Sequence, residues 1–209
     1  VKRVVAHHLL NSLGIDEFSD KVNVLSRAFR SHLKTLKHAS RPIEDWVTDM
    51  FLNPAGYGTF FSIADCIKEF GEQFDLLGSS PSMFTNYSWY KNTRINEKGS
   101  YIEQFHSKHH TLVSTGASES PRAASKNRFL ENRAHVLRMA SAKYENGKDR
   151  KELRKIISVL EVIAGEIREF DSAVAMAIEE GIILVSDRTV SIDRVSKAKF
   201  LASAFGRGQ

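Results

Sequence analysis

Arg150-Lys151-Glu152-Leu153-Arg154-Lys155-Ile156-Ile157-Ser158-Val159-Leu160-Glu161-Val162-Ile163-Ala164-Gly165-Glu166-Ile167-Arg168-Glu169-Phe170 is the stretch that decides the fold. Leu153, Ile156, Ile157, Leu160, Ile163, Ala164, Ile167 and Phe170 recur three or four positions apart, the spacing of the a and d places of a helical seam. A helix with such a seam packs along neighbours, so residues 126–209 are expected to form a helical bundle or hairpin. Upstream, Phe129, Leu130, Ala134, Leu137 and Ala140 mark a second helix, closed by Asn146-Gly147. Downstream, Asp171 is placed to start a helix running to Gly181. Ile182 to Val185 reads as a short strand or buried turn, and Ser191 caps a last helix through Val195, Phe200 and Phe205.

The first 113 residues read as a mixed, mostly helical domain. Val4, Val5, His8, Leu9 and Leu13 share one helical face, and Gly14 is placed to end that helix. Phe18, Val22, Leu25, Phe29, Leu33 and Leu36 give a longer apolar stripe, with Arg27, Arg30 and Lys34 turned to water. Arg41-Pro42 opens a short helix that would bury Trp46, Met50 and Val47, and Asn53-Pro54 stops it. Ser62 and Asp65 favour another helix start. Phe74 to Gly78 reads as a strand, a short β element near residues 73–85. Tyr101 to Val113 is expected to be helical. Residues 114–125, with Gly116 and Pro121, form the expected linker. The fold class is therefore mainly α.

Charge is unevenly spread. Between Arg122 and Lys155 stand eleven basic and four acidic residues, a local excess of seven in a chain whose net charge is +5. The remainder is thus slightly acidic, and a basic segment of this kind can track a phosphate backbone. Arg128, Arg133, Arg138, Lys143, Arg150, Lys151 and Arg154 are its candidate nucleic-acid contacts, set against the plainer reading of a solvated helix surface. A lone cysteine, Cys66, precludes an intrachain disulfide, suits a reducing cytoplasm, and sits in an apolar run that argues for core. No apolar run reaches the roughly 20 residues that span a bilayer, so no membrane partner is expected.

Other constellations are thinner. His106, His109 and His110 can share a helix face, yet no Cys or HExxH glutamate joins them, and no metal site is assigned. Gly56-Tyr57-Gly58 follows a helix end rather than a strand, which favours a turn over a phosphate loop. Phe84, Tyr87, Trp89 and Tyr90, with Arg94 and the preceding Tyr57, form the most ligand-like patch. Aromatic faces interleaved with cations stack on bases or hold aromatic and methylated ligands, although the same residues can simply cover a core edge.

One ordered block has a family likeness. Asp49-Met50-Phe51-Leu52-Asn53-Pro54, then Phe61-Ser62-Ile63-Ala64-Asp65-Cys66-Ile67, then Phe74-Asp75-Leu76-Leu77-Gly78-Ser79-Ser80-Pro81 resembles the segment after the nucleotide-binding core in class I S-adenosylmethionine-dependent methyltransferases. The likeness spans residues 43 to 90. It implies a substrate-side or accessory region working with S-adenosylmethionine held by a cofactor domain supplied elsewhere. The strand, glycine-rich turn and helix that seat such a cofactor are missing, so this chain alone is expected to bind none. No catalytic residue carries over, and the sequence assigns no reaction. The alternative is a non-enzymatic helical interaction module, contacting nucleic acid through the basic helix or another subunit, or itself, through the 153–170 helix.

Overall fold

The computed structural model describes residues 1–35, 41–57, 62–69, 74, 98–114, 117 and 121–203. Among them the chain is mainly helical, and no strand occurs. The β element expected at 73–85 lies outside the described residues except for Phe74, which is in neither helix nor strand. Contacts gather the chain into two compact units. Unit 1 comprises Val1–Gly58 and Arg133–Phe205, and unit 2 comprises Thr59–Asn132. This grouping joins distant parts of the chain, whereas the sequence division at 114–125 followed chain order.

In unit 1, α1 (Lys2–Leu13) and α2 (Phe18–Leu33) follow the expected stripes. Gly14 ends α1 in the left-handed conformation at φ 65°, where its N–H donates to the Asn11 carbonyl and the following Ile15 N–H donates to the Leu10 carbonyl. Glycine adopts that conformation without the steric penalty a side chain would meet. Leu25, Phe29 and Leu33 are buried on α2 while Phe18, at its open end, is exposed; Leu36 lies outside the described residues. Next come α3 (Ile43–Val47) and a π-helical turn, Thr48–Leu52. The apolar side there is held by Val47 and Phe51, with Trp46 and Met50 only half-buried. Phe51 meets Phe29 with ring centroids 4.5 Å apart, fixing this segment on α2.

In unit 2 lie α4 (Ile63–Glu69) and α5 (Lys98–Lys108), packed on each other. Ser62 and Asp65 cap α4 reciprocally: Asp65 N–H donates to Ser62 Oγ, and Ser62 N–H donates to Asp65 Oδ2, each at 3.1 Å. Ala64 and Phe105 form the core, covered by Ile63, Ile102 and Leu112; Cys66 is only half-buried beside it.

A long α6 (Ala124–Gly147) gives its first part to unit 2 and its remainder to unit 1. Then come α7 (Arg150–Arg168), α8 (Ser172–Ser186), α9 (Ile192–Ser196) and α10 (Lys199–Ser203). The decisive seam behaves as expected: Ile156, Leu160, Ile163, Ala164 and Ile167 are buried, and α7 packs along α8. That part of the apolar face is filled within the chain, while Leu153, Ile157 and Phe170 are only half-buried. Asp171 caps α8 by accepting from the N–H groups of Ala173 and Val174, and Ser191 caps α9.

Residues 182–185 correct the sequence reading. They are neither strand nor turn but the continuation of α8, because Ile178, Gly181, Leu184 and Val185 make one buried helical face. Gly181 does not end the helix. A Cβ there would overlap the Val1 side chain, while Leu201 and Val5 stand at ordinary contact distances of 3.8 and 3.9 Å, so its bareness makes room for Val1 at the start of α1. The last helix is likewise split in two, α9 and α10, with Ala198 buried between them.

Candidate functional site

In unit 1 a cleft of about 540 Å³ opens where four segments meet. Helix α1 contributes His8, Asn11 and Ser12, which share a face because they lie three and four positions apart. Helix α7 contributes Arg150, Leu153, Arg154 and Ile157, again one face at helical spacing. Tyr144 and Lys148 enter from the end of α6, and Val185, Ser186 and Arg188 from the end of α8.

The floor is a chain of hydrogen bonds. His8 Nε2 lies 2.8 Å from the Asp187 carbonyl, which can only accept, so Nε2 carries the proton. Nδ1 then accepts from the Tyr144 hydroxyl at 2.9 Å. Burial raises the Tyr144 pKa above its ordinary value, opposed in part by Asn11 and Lys148, so the hydroxyl stays protonated as the donor this arrangement needs. With both ring nitrogens committed to the protein, His8 clamps α1 to the ends of α6 and α8 and holds no spare site for proton transfer.

The rim is cationic. Arg150, Arg154 and Arg188 are exposed and make no ion pair among the described residues. Lys148 Nζ pairs with Asp16 at 2.9 Å, both groups well exposed. Lys148 also holds a left-handed backbone, φ 52°, directly after Gly147, and its N–H closes on the Tyr144 carbonyl at 2.8 Å. Local structure aims these charges. Asp149 caps α7 by accepting from the Lys151 N–H, which fixes Arg150 in the first turn. Asp187 accepts from the Thr189 N–H and hydroxyl, each at 2.9 Å, and so folds the turn that carries Arg188. Leu153, Ile157 and Val185 supply an apolar wall between floor and rim. The assembled site can take a ligand with a flat or apolar body and an anionic group.

Of the seven basic residues singled out by sequence, the structure brings Arg150 and Arg154 to this cleft. Lys151 is exposed on α7 but does not line it, and Lys143 is exposed on α6. Arg128, Arg133, Arg138 and Lys143 recur every fifth residue. Each step turns roughly 140° about a helix with 3.6 residues per turn, so they cannot share one face. Arg128 borders a different cavity, in unit 2, while Arg133 and Arg138 are half-buried and engaged elsewhere. The continuous basic stripe is thus replaced by a local cluster.

Sequence reasoning missed Arg188, His8 and Tyr144. His8 was legible only as an apolar-face residue of α1, and nothing local marks Arg188. Of the aromatic patch, Phe84, Tyr87, Trp89, Tyr90 and Arg94 lie outside the described residues; Tyr57 ends a 3-10 turn, Pro54–Tyr57. Gly56 in that turn serves close approach: a Cβ would come within 2.5 Å of Arg3 Nη1, which donates to the Asn53 carbonyl. His106, His109 and His110 do not converge on a common point with acidic partners, and no group of three metal-ligating side chains occurs among the described residues. No helix of the described residues is long and apolar enough to cross a membrane.

No family model matches this chain, and no curated protein or solved structure matches it, so the methyltransferase likeness of residues 43–90 gains no support from known proteins.

Proposed function

We propose that this chain is a helical binding module that grips a single-stranded nucleic acid at the unit 1 cleft. One observation carries the reading: three arginines without ion pairs among the described residues, from two separate segments, surround a cleft with an apolar wall. Phosphates would lie against Arg150, Arg154 and Arg188, with Lys148 joining on release from Asp16. A base would rest on Leu153 and Ile157, which are half-buried at the cleft. A concave site of this volume accommodates one or two nucleotides or a strand end rather than the face of a duplex. The protein contributes charge and shape, not a reacting group.

Fluorescence anisotropy with a labelled oligothymidylate tests this. Three phosphate contacts predict a slope of log affinity on log salt near −2, about a 20-fold loss between 50 and 200 mM salt. Replacing Arg150, Arg154 and Arg188 together by Met should flatten that slope to between about −1 and zero. Absence of binding at 50 mM salt, or an unchanged slope in the triple variant, would refute the assignment.

A further inference from the structure

We propose that the unit 1 cleft selects RNA over DNA, with Ser12 and Ser186 reading the ribose 2′-hydroxyl. Given the cleft as a single-strand site, on which this selection rests, the place of the sugar follows from its bonds, since it joins base to phosphate. With a base on Leu153 and Ile157 and phosphates on Arg150, Arg154 and Arg188, the sugar faces the remaining wall, built from α1 and the end of α8.

That wall has few polar groups left to offer. His8 uses both ring nitrogens, on the Asp187 carbonyl and the Tyr144 hydroxyl. Asn11 has its Nδ2 buried and turned toward Tyr144, which leaves it only an accepting oxygen. Two hydroxyls remain. Ser12 and Ser186 line the cleft, are exposed, and make no hydrogen bond among the described residues. A helical serine can satisfy its hydroxyl on a carbonyl three or four residues earlier. Ser107, Ser141, Ser196 and Ser203 do so here, at 2.7–2.9 Å. Ser12 and Ser186 do not, so both stay open to a ligand.

Their placement brings them to one stretch of strand. The bond from His8 Nε2 to the Asp187 carbonyl, at 2.8 Å, holds the end of α8 against α1. Ser186 directly precedes Asp187, and Ser12 stands one turn beyond His8, about 6 Å along the axis. A serine hydroxyl both donates and accepts, and so does the 2′-hydroxyl, so each can serve the other in either sense. A phosphate would use only the donor half and is answered better by the arginines. Deoxyribose offers neither half. It would displace water from the two serines and leave them without a partner.

Fluorescence anisotropy of the full chain at low salt tests this with labelled oligouridylate, its deoxy counterpart and its 2′-fluoro counterpart. Base and phosphate number are the same in all three, and the 2′-fluoro strand keeps the ribose pucker without a hydroxyl to donate. The ribo strand should bind about five- to ten-fold more tightly than either of the others, the worth of one or two neutral hydrogen bonds. Ser12→Ala combined with Ser186→Ala should bring it down to the deoxy affinity. The deoxy affinity itself, the salt slope and the circular dichroism should stay as in wild type. Three results would each overturn the selection while leaving the cleft a nucleic-acid site: equal binding of ribo and deoxy strands, 2′-fluoro binding as tight as ribo, or a preference that survives the double substitution. Failure of all three strands to bind would overturn both.

Discussion

His32 offers a prediction whose size follows from its surroundings. It is fully buried on α2 and its Nε2–H donates to the Val195 carbonyl at 2.8 Å, tying α2 to α9. Nδ1 is buried without a partner, so a second proton would enter with nothing to receive it. Burial, with a smaller push from Lys2, lowers the pKa from 6.5 to about 4, although the bond to Val195 opposes the shift. The unfolded chain therefore takes up the proton first as pH falls. The stabilising contribution is complete above pH 6.5 and drains away as pH drops toward 4. By linkage, about 2 kcal/mol is lost on going from neutral pH to pH 5. That is a large share of the stability of a typical domain. His7, His106 and His109 are also lowered by burial and will add to the acid loss, so wild type alone cannot isolate the effect. His32→Gln keeps an N–H for Val195 but cannot titrate. Urea unfolding of both proteins at pH 7.5 and pH 5 should show the wild-type advantage shrinking by about 2 kcal/mol at the lower pH. Two pH profiles that run parallel would refute the reasoning.

Two further expectations bear on the unit 1 cleft. Lys148 holds a left-handed backbone at φ 52°, so Lys148→Gly should be more stable than Lys148→Ala by about 1 kcal/mol, while both lose oligonucleotide affinity equally. Equal urea midpoints for the two variants would show that the backbone is not strained there. Tyr144→Phe removes the proton donated to His8 Nδ1 and leaves that nitrogen buried and unpaired, a cost of about 1–2 kcal/mol. Because the arginine rim is untouched, thermal unfolding should record the loss and the salt slope of binding should not change.

Several features of this protein were written locally. The α7 seam is a repeat within 20 residues, and a helix that short in period has one apolar face whatever it meets. Gly14, Asp171 and Ser191 act through hydrogen bonds to N–H or carbonyl groups only a few positions away, so their roles as caps were legible from residue type and place. Where local reading failed, tertiary contacts had reset the outcome. Gly181 looked like a stop, but burial against α1 and α10 carries α8 through it to Ser186.

The candidate site shows the same division more sharply. Arg150 and Arg154 were visible as basic residues one helical turn apart. Their meeting with Arg188 was not, because it requires α7 and α8 to pack before the turn after α8 can present its side chain. The His8–Tyr144 bond spans 136 residues of chain, and the approach of His106 to Glu131 in unit 2 joins separate helices. Composition and periodicity fix which face of each helix is apolar. Which polar residues from different helices come within reach of one ligand depends on how those faces dock, and that is information no single segment contains.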